Sequence, residues 1–381
     1  MWEIPLFKIY WDEDDVEGVS SVIKRGSQWA NGPEIQNFEN NISKYIGSKH
    51  AVAFNSGTSA MHSLLMAYGI GPGDEVIVPS FTFISTANAP LFVGAKPVFA
   101  EIESTTLGLD PEDVNERITN KTKAIIPIHF GGCPCLIKEL KEIAEDKNLL
   151  LIEDAAESLG AKINNSMVGT FGESAMLSFC QNKIISTGEG GAIVINSNKI
   201  FERLKLIRSH GRLETGDYFS SIEQMQYISL GYNFRISSIS AALGSSQLKK
   251  IDNIIKMRRE IAECMITGLS KIREISPPIA PKDFFHIYQM FTIQLEDSKD
   301  KILRNKLMNY LSDKSIMTKI YFYPVHLTEF YKKNFGYTEG CLPITEDLSN
   351  RVLSLPIYPT LKESEINYII NAIKEFFEES L

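Results

Sequence analysis

The chain has 381 residues, 44% of them apolar and 23% charged, with a formal net charge of −8 at pH 7. That length suits two domains or one large domain with an appendage, and the composition is that of an ordinary globular protein with a sizeable core. The acidic balance argues against a general nucleic-acid or anionic-membrane surface, so any anionic ligand must be held by local groups.

The five cysteines, Cys133, Cys135, Cys180, Cys264 and Cys341, are too few and too scattered for a disulfide framework. Cys133-Pro134-Cys135 has one residue between its thiols where zinc and redox motifs use two, so it reads as structural, and no metal is expected. The start, Met1-Trp2-Glu3-Ile4-Pro5, lacks a basic n-region with an apolar core, and no apolar run reaches the ~20 residues of a membrane span. A cytoplasmic protein without a membrane partner is expected.

From about Ala51 to Asn196, short β-type runs alternate with helical patterns, the signature of a mostly parallel sheet covered by helices. Strands are expected at Ala51–Phe54, Glu75–Val78, Pro97–Glu101, Ala124–Ile128, Leu149–Glu153, Ala175–Phe179 and Gly191–Ile195. Met61, Leu64, Leu65 and Tyr68 recur at helical spacing after Gly57-Thr58-Ser59, and Leu136–Lys147 is amphipathic. A long charged helical stretch from Ser237 to about Ile272 leads out of this region. Beyond it come expected strands at Phe291–Leu295 and Met317–Phe322, then a final helix with Ile366, Ile369, Ile370, Ile373, Phe376 and Phe377 on one face. The expected division is a large domain over residues 1–250 and a small C-terminal α/β domain over residues 251–381.

Several segments carry chemistry. Asn55-Ser56-Gly57-Thr58-Ser59 sits between a strand and a helix, where free backbone N–H groups suit a phosphate and Gly57 permits close approach; the plainer reading is that Ser56 or Thr58 caps the helix. Pro79-Ser80-Phe81-Thr82-Phe83 follows the next strand, so its aromatics lie at the carboxyl edge, where doubly wound sheets bind ligands; they also read as core phenylalanines. The run Leu149-Leu150-Leu151-Ile152 ends in Glu153-Asp154-Ala155-Ala156-Glu157, and Lys183 follows after a second strand. A strand-end Asp and a loop Lys are the pair that pyridoxal 5′-phosphate (PLP) chemistry needs. The Lys holds the cofactor as a Schiff base and the Asp keeps the pyridine nitrogen protonated. Glu157 could reach the cofactor's phenolic oxygen if a proton is shared between them. Gly188-Glu189-Gly190-Gly191 precedes a strand and departs from the dinucleotide-binding pattern, so it reads as a tight turn positioning the Lys183 segment.

Taken in order, Asn55-Ser56-Gly57-Thr58-Ser59-Ala60, Pro79-Ser80-Phe81-Thr82-Phe83, Glu153-Asp154-Ala155-Ala156-Glu157, Ser178-Phe179…Lys183…Gly188-Glu189-Gly190-Gly191 and Gly231-Tyr232-Asn233-Phe234-Arg235 resemble the DegT-type sugar aminotransferases. The likeness runs from about Gly26 to Leu353-Ser354-Leu355-Pro356, and the strings around Lys183 look most like the GDP-perosamine synthase branch. It implies a fold-type I PLP-dependent transferase, α/β in class, with a large mostly parallel sheet domain and a smaller C-terminal α/β domain. It implies Lys183 as the cofactor lysine and Asp154 as partner of the pyridine nitrogen. Gly57, Thr58 and the Ser178 hydroxyl would bind the phosphate, and Phe83, with Phe81 as the alternative, would stack on the ring.

Asn233 would reach the phosphate in a partner subunit, implying a homodimer with shared active sites. Arg235 would hold the substrate diphosphate or form an intersubunit salt bridge, and His326 would line the sugar pocket. The implied reaction moves an amino group from L-glutamate to a 4-keto-sugar nucleotide, making an amino sugar for surface polysaccharide or glycoconjugate. Competing readings are a 3-keto-sugar or keto-cyclitol acceptor, or a non-catalytic regulator that keeps the fold. Related dehydratases carry His at the lysine position; here it is Lys183.

Overall fold

A computed structural model describes residues 2–213, 224–296 and 301–380 of the chain. Thirteen strands are described: β1 His50–Phe54, β2 Glu75–Pro79, β3 Lys96–Ala100, β4 Thr122–Ile125, β5 Leu150–Asp154, β6 Lys162–Ile163, β7 Ser166–Met167, β8 Ser174–Ser178, β9 Gly191–Ile195, β10 Ile275–Ser276, β11 Phe284–Phe285, β12 Phe291–Leu295 and β13 Val352–Leu355. The seven apolar runs expected between Ala51 and Ile195 all become strands of one seven-stranded sheet, ordered β1-β9-β8-β5-β4-β2-β3. Strands β3, β2, β4, β5 and β8 run parallel. Strand β9 alone is reversed, pairing antiparallel with β8 on one side and β1 on the other.

These strands are short and almost wholly apolar because helices cover both faces of the sheet. On one face the Gly57–Tyr68 helix buries Met61, Leu64 and Leu65 against Val52, Val76 and Ile193. The other face has two patches, Phe38, Ile42 and Leu248 against Ala53 and Val194, and the Ile137–Lys147 helix against Ile77 and Ile125. The Gly57–Tyr68 helix starts sharply because Ser56 Oγ accepts the Ser59 N–H at 3.1 Å, and it ends at Gly69 with φ 80°.

The helical stretch from Ser237 is two helices, Ser238–Lys249 and Ile251–Leu269, separated at Lys250. Lys250 is tied by its ammonium to Asp12 and, at 3.0 Å, to Asp15, pinning this junction to the start of the chain. The second helix, with Glu363–Ser380 and the three-stranded sheet β10-β12-β13, forms a separate core around Met265, Phe291, Leu307, Leu353, Ile369 and Phe376, to which Ile4 also contributes.

Met317–Phe322 does not form the expected strand. Lys319 exchanges backbone hydrogen bonds with Ser354 at 3.1 and 2.9 Å, Met317 N–H bonds Ile4 O at 2.9 Å, and β13 takes the place beside β12. Among the described residues, no helix is long and apolar enough to cross a membrane.

Candidate active site

Parallel strands β2, β5 and β8 all end on the same edge of the sheet; the last residues of β5 and β8, with Phe83 from the segment after β2, open into one cleft of about 400 Å³, within the usual range for small-ligand sites. Gly57, Thr58, Phe83, Asp154, Glu157, Ser178 and Lys183 line it, joined by Tyr321, Phe322 and Lys319 from the C-terminal part of the chain. These first seven are the positions that the sequence assigned to cofactor binding within one chain.

Asp154 is the last residue of β5 and 2% exposed. Its Oδ2 accepts the Thr86 hydroxyl at 2.7 Å and its Oδ1 the Ala156 N–H at 3.1 Å. Burial pushes its carboxyl above the ordinary carboxylate range, a push that these two donors and the nearby Lys183 oppose. A buried carboxylate of this kind is stabilised in its charged form by a cation on its open side, which suits the protonated nitrogen of a heteroaromatic ring.

Lys183 lies in a turn after β8 in which its N–H bonds Cys180 O at 2.9 Å, and Gln289 Nε2 clamps the neighbouring Asn182 carbonyl. Its side chain is largely buried, and Nζ donates to Glu157 Oε1 at 3.2 Å. The other Glu157 oxygen accepts the Gly131 N–H at 3.0 Å. Gly188 takes φ 81° in the following turn, and Phe179 N–H bonds Gly190 O at 2.9 Å, so the glycines close the Lys183 loop tightly.

The helix N-terminus beside this loop is packed by glycine on both sides. A Cβ on Gly57 would stand 2.9 Å from Met176 Sδ, and one on Gly191 would stand 2.5 Å from Gly57 N. Ser56 supplies the cap, leaving Thr58 on the cleft wall. Free N–H groups at such a terminus suit a phosphate. Phe83 is 56% exposed and on the cleft wall, whereas Phe81 is 0% exposed and packs on Phe130 at 5.0 Å between centroids; the structure separates the two aromatic candidates.

Three expected site residues do not line this cleft. Asn233 is exposed and paired through its backbone with Ser209. Arg235 Nη1 donates to Ser209 Oγ at 3.1 Å. Their string is tied to the phosphate-type turn, because Phe234 O accepts the Asn55 N–H at 2.8 Å. His326 is fully buried, its Nδ1 2.7 Å from Ser80 Oγ and its Nε2 3.1 Å from Glu346 Oε1.

Sequence reasoning missed Thr86, Gly131, Tyr321 and Phe322. The spacing of Thr82 and Thr86, one helical turn apart at a strand end, was an available signal for Thr86; nothing local marks the others.

A lysine and a buried aspartate facing one cleft, with a glycine-packed helix N-terminus and an exposed aromatic ring, define a site shaped for a phosphorylated pyridine cofactor. Comparison with known proteins agrees. The model of the DegT/DnrJ/EryC1/StrS aminotransferase family matches residues 10–374. The chain is 34% identical over 373 residues to spore coat polysaccharide biosynthesis protein SpsC of Bacillus subtilis, covering 95% of this chain and 94% of that protein. It is 36% identical over 355 residues to GDP-perosamine synthase of Escherichia coli O157:H7, covering 93% of each. Among solved structures, Helicobacter pylori PseC, an aminotransferase involved in the biosynthesis of pseudoaminic acid, superposes with a TM-score of 0.92 at 28% identity, covering 99% of this chain and 100% of that one.

The chain belongs to the DegT/DnrJ/EryC1/StrS aminotransferase family. It is a PLP-dependent transaminase, and within that class a sugar aminotransferase.

Proposed function

We propose that this enzyme transfers the amino group of L-glutamate to the keto carbon of a 4-keto-sugar nucleotide, making an amino sugar for surface polysaccharide or glycoconjugate. The observation that carries the site assignment is that Lys183 and the buried Asp154 carboxylate line the same cleft. The choice of acceptor is supported by the 36% identity to a GDP-perosamine synthase and by the matching strings around Lys183.

When bound, PLP supplies an electrophilic carbonyl carbon for amines and an electron sink for the charge left when a proton departs. The chain's own residues do the rest. Gly57 and Thr58, through the helix N-terminus, and the Ser178 hydroxyl hold the phosphate. Phe83, on the cleft wall, would stack on the pyridine, and Asp154 would hold positive charge at the ring nitrogen. Lys183 Nζ takes the proton that leaves the α-carbon of the donor and delivers it within the cleft. In the second half-reaction the same nitrogen carries a proton the opposite way, to the carbon that becomes the aminated centre of the sugar. Glu157, fixed by the Gly131 N–H, orients Nζ between these transfers.

Asn233 and Arg235, outside the cleft of their own chain, serve that of a second copy in a homodimer: Asn233 at the phosphate and Arg235 at the diphosphate of the acceptor. Residues 1–250 act as the cofactor domain and 251–381 as the small C-terminal α/β domain packed on it, and the enzyme works in the cytoplasm.

The test uses the purified yellow enzyme. L-Glutamate alone should bleach its visible band and release one equivalent of 2-oxoglutarate. A panel of 4-keto- and 3-keto-sugar nucleotides should then restore the colour selectively. Restoration by the 3-keto compounds alone would overturn the acceptor assignment, and no response to glutamate would overturn the donor.

A further inference from the structure

Behind Asp154 lies a chain of hydroxyls that the reaction as written does not use. Thr86 Oγ1 stands 2.7 Å from Asp154 Oδ2 and 2.9 Å from Thr82 Oγ1. Thr82 and Thr86 are each 1% exposed and Asp154 is 2% exposed, so water does not compete for these bonds. An ionised carboxylate only accepts, so the single Thr86 hydroxyl proton must go to Asp154, and the Thr82 proton must then go to Thr86. The order Thr82 to Thr86 to Asp154 is therefore fixed for as long as Asp154 is charged, and only a protonated Asp154 permits the reverse order.

We propose that Thr86 is a positioning residue for transamination: its hydroxyl, backed by Thr82, holds Asp154 Oδ2 in one orientation and in the charged, accepting form. The proposal rests on Asp154 being the partner of the ring nitrogen. Thr82 also directly precedes Phe83, so the segment that places the exposed ring on the cleft wall aims the hydroxyl chain at the carboxylate beneath it. A charge-assisted bond in a dry site is stronger than the same bond in water.

The charged groups facing Asp154 are Glu157, which opposes its ionisation, and Lys183, which favours it. The helix Ile84–Phe92, packed against it from the far side, carries no charged residue and contributes only Thr86. Burial works against the charged form, and Thr86 is the first of the groups that offset it. Loss of the hydroxyl therefore moves the loss of the carboxylate to higher pH.

The experiment compares Thr86→Val, which keeps the shape but removes the hydroxyl, with Thr86→Ser, which restores it. In the valine enzyme the acidic limb of the kcat/KM profile should move up by about one pH unit, and the Kd of the cofactor-free protein for PLP should rise about tenfold, the effect of one lost hydrogen bond to a charged group. Serine should bring both back to within about twofold of the starting enzyme. Thr82→Val, which touches only the outer link and keeps the Thr86–Asp154 bond, should shift the limb in the same direction by less. A valine enzyme with the original limb and Kd overturns the proposal, as does a serine enzyme as impaired as the valine one. Asp154→Asn separates the two levels: if it too is silent, the assignment of Asp154 itself fails, whereas a crippled Asp154→Asn beside a silent Thr86→Val refutes the role of Thr86 alone.

Discussion

Lys183 Nζ donates to Glu157 Oε1 at 3.2 Å, and the opposite oxygen of the same carboxylate is occupied by the Gly131 N–H. The ammonium is thus aimed into the cleft by a group that is itself fixed by backbone. Replacing Lys183 with Ala should lower turnover by at least ~10³-fold, the loss of both a covalent anchor and a proton carrier. Non-covalent PLP binding should survive, held by the Gly57–Ser178 end of the site. Steady-state rates with dialysis measurements of bound cofactor check both halves; turnover within tenfold of the original would exclude Lys183 as the cofactor lysine.

Asp154→Asn should cut kcat by roughly 10²–10⁴-fold, because a neutral amide no longer holds positive charge at the ring nitrogen. The cofactor-free protein should respond in the opposite sense. Burial raises the carboxyl pKa of Asp154 in the folded state, so charging it opposes folding above its unfolded value, and that penalty is complete above the raised folded value. The asparagine protein should therefore be the more stable of the two near neutral pH, with its advantage shrinking as pH falls through that window. Denaturant midpoints across pH 4–8 read this; an advantage that grows on acidification would contradict the sign.

Gly191 and Gly57 should differ sharply in tolerance of alanine. A Cβ on Gly191 meets backbone at 2.5–2.7 Å, on Gly57 N, Ser56 C and Gly57 Cα, which cannot move without displacing the helix N-terminus. On Gly57 it meets the flexible Met176 Sδ at 2.9 Å, which can swing aside. Gly191→Ala should cost about 1–3 kcal/mol and weaken PLP binding, whereas Gly57→Ala should cost less than ~1.5 kcal/mol. Thermal midpoints and PLP titrations of the two proteins decide; equal losses would mean the packing is not what sets them apart.

His326 bridges Ser80 and Glu346 inside the protein. His326→Ala should destabilise by about 2–4 kcal/mol, opening a cavity and leaving the buried Ser80 hydroxyl with only the residue-326 backbone N–H, which it accepts at 3.0 Å, while both KM values stay near those of the original enzyme. Burial lowers the pKa of this imidazole, so its contribution should be present above the ordinary value of 6.5 and fall away as pH drops below it. The alanine protein should lack that acid-sensitive component in urea titrations. A large rise in the KM of the acceptor would instead place His326 at the sugar.

The sheet was legible because each of its strands is an apolar run bounded by turn residues, and the cleft followed from where those runs end. What stayed hidden depends on distant partners. Lys250 ends a helix through bonds to Asp12 and Asp15, more than two hundred positions away, and no local pattern marks that break. Met317–Phe322 has strand-like composition, yet β13 fills the edge of β12 and leaves it a single bridge. Phe81 and Phe83 are indistinguishable as residue types; only the turn into the Ile84–Phe92 helix sends one ring inward and the other to the cleft.

The reversed strand β9 has a bearing on how the enzyme matures. Its register sets Gly191 opposite Phe54 and Ser178, directly under the start of the Gly57–Tyr68 helix. A slip of two positions keeps the same faces inward but exchanges this hydrogen atom for the branched side chain of Ile193, whose bulk would evict the turn proposed to hold the phosphate. Uptake of PLP should thus depend on β9 lying in true alignment, and the colour of the purified protein should report it.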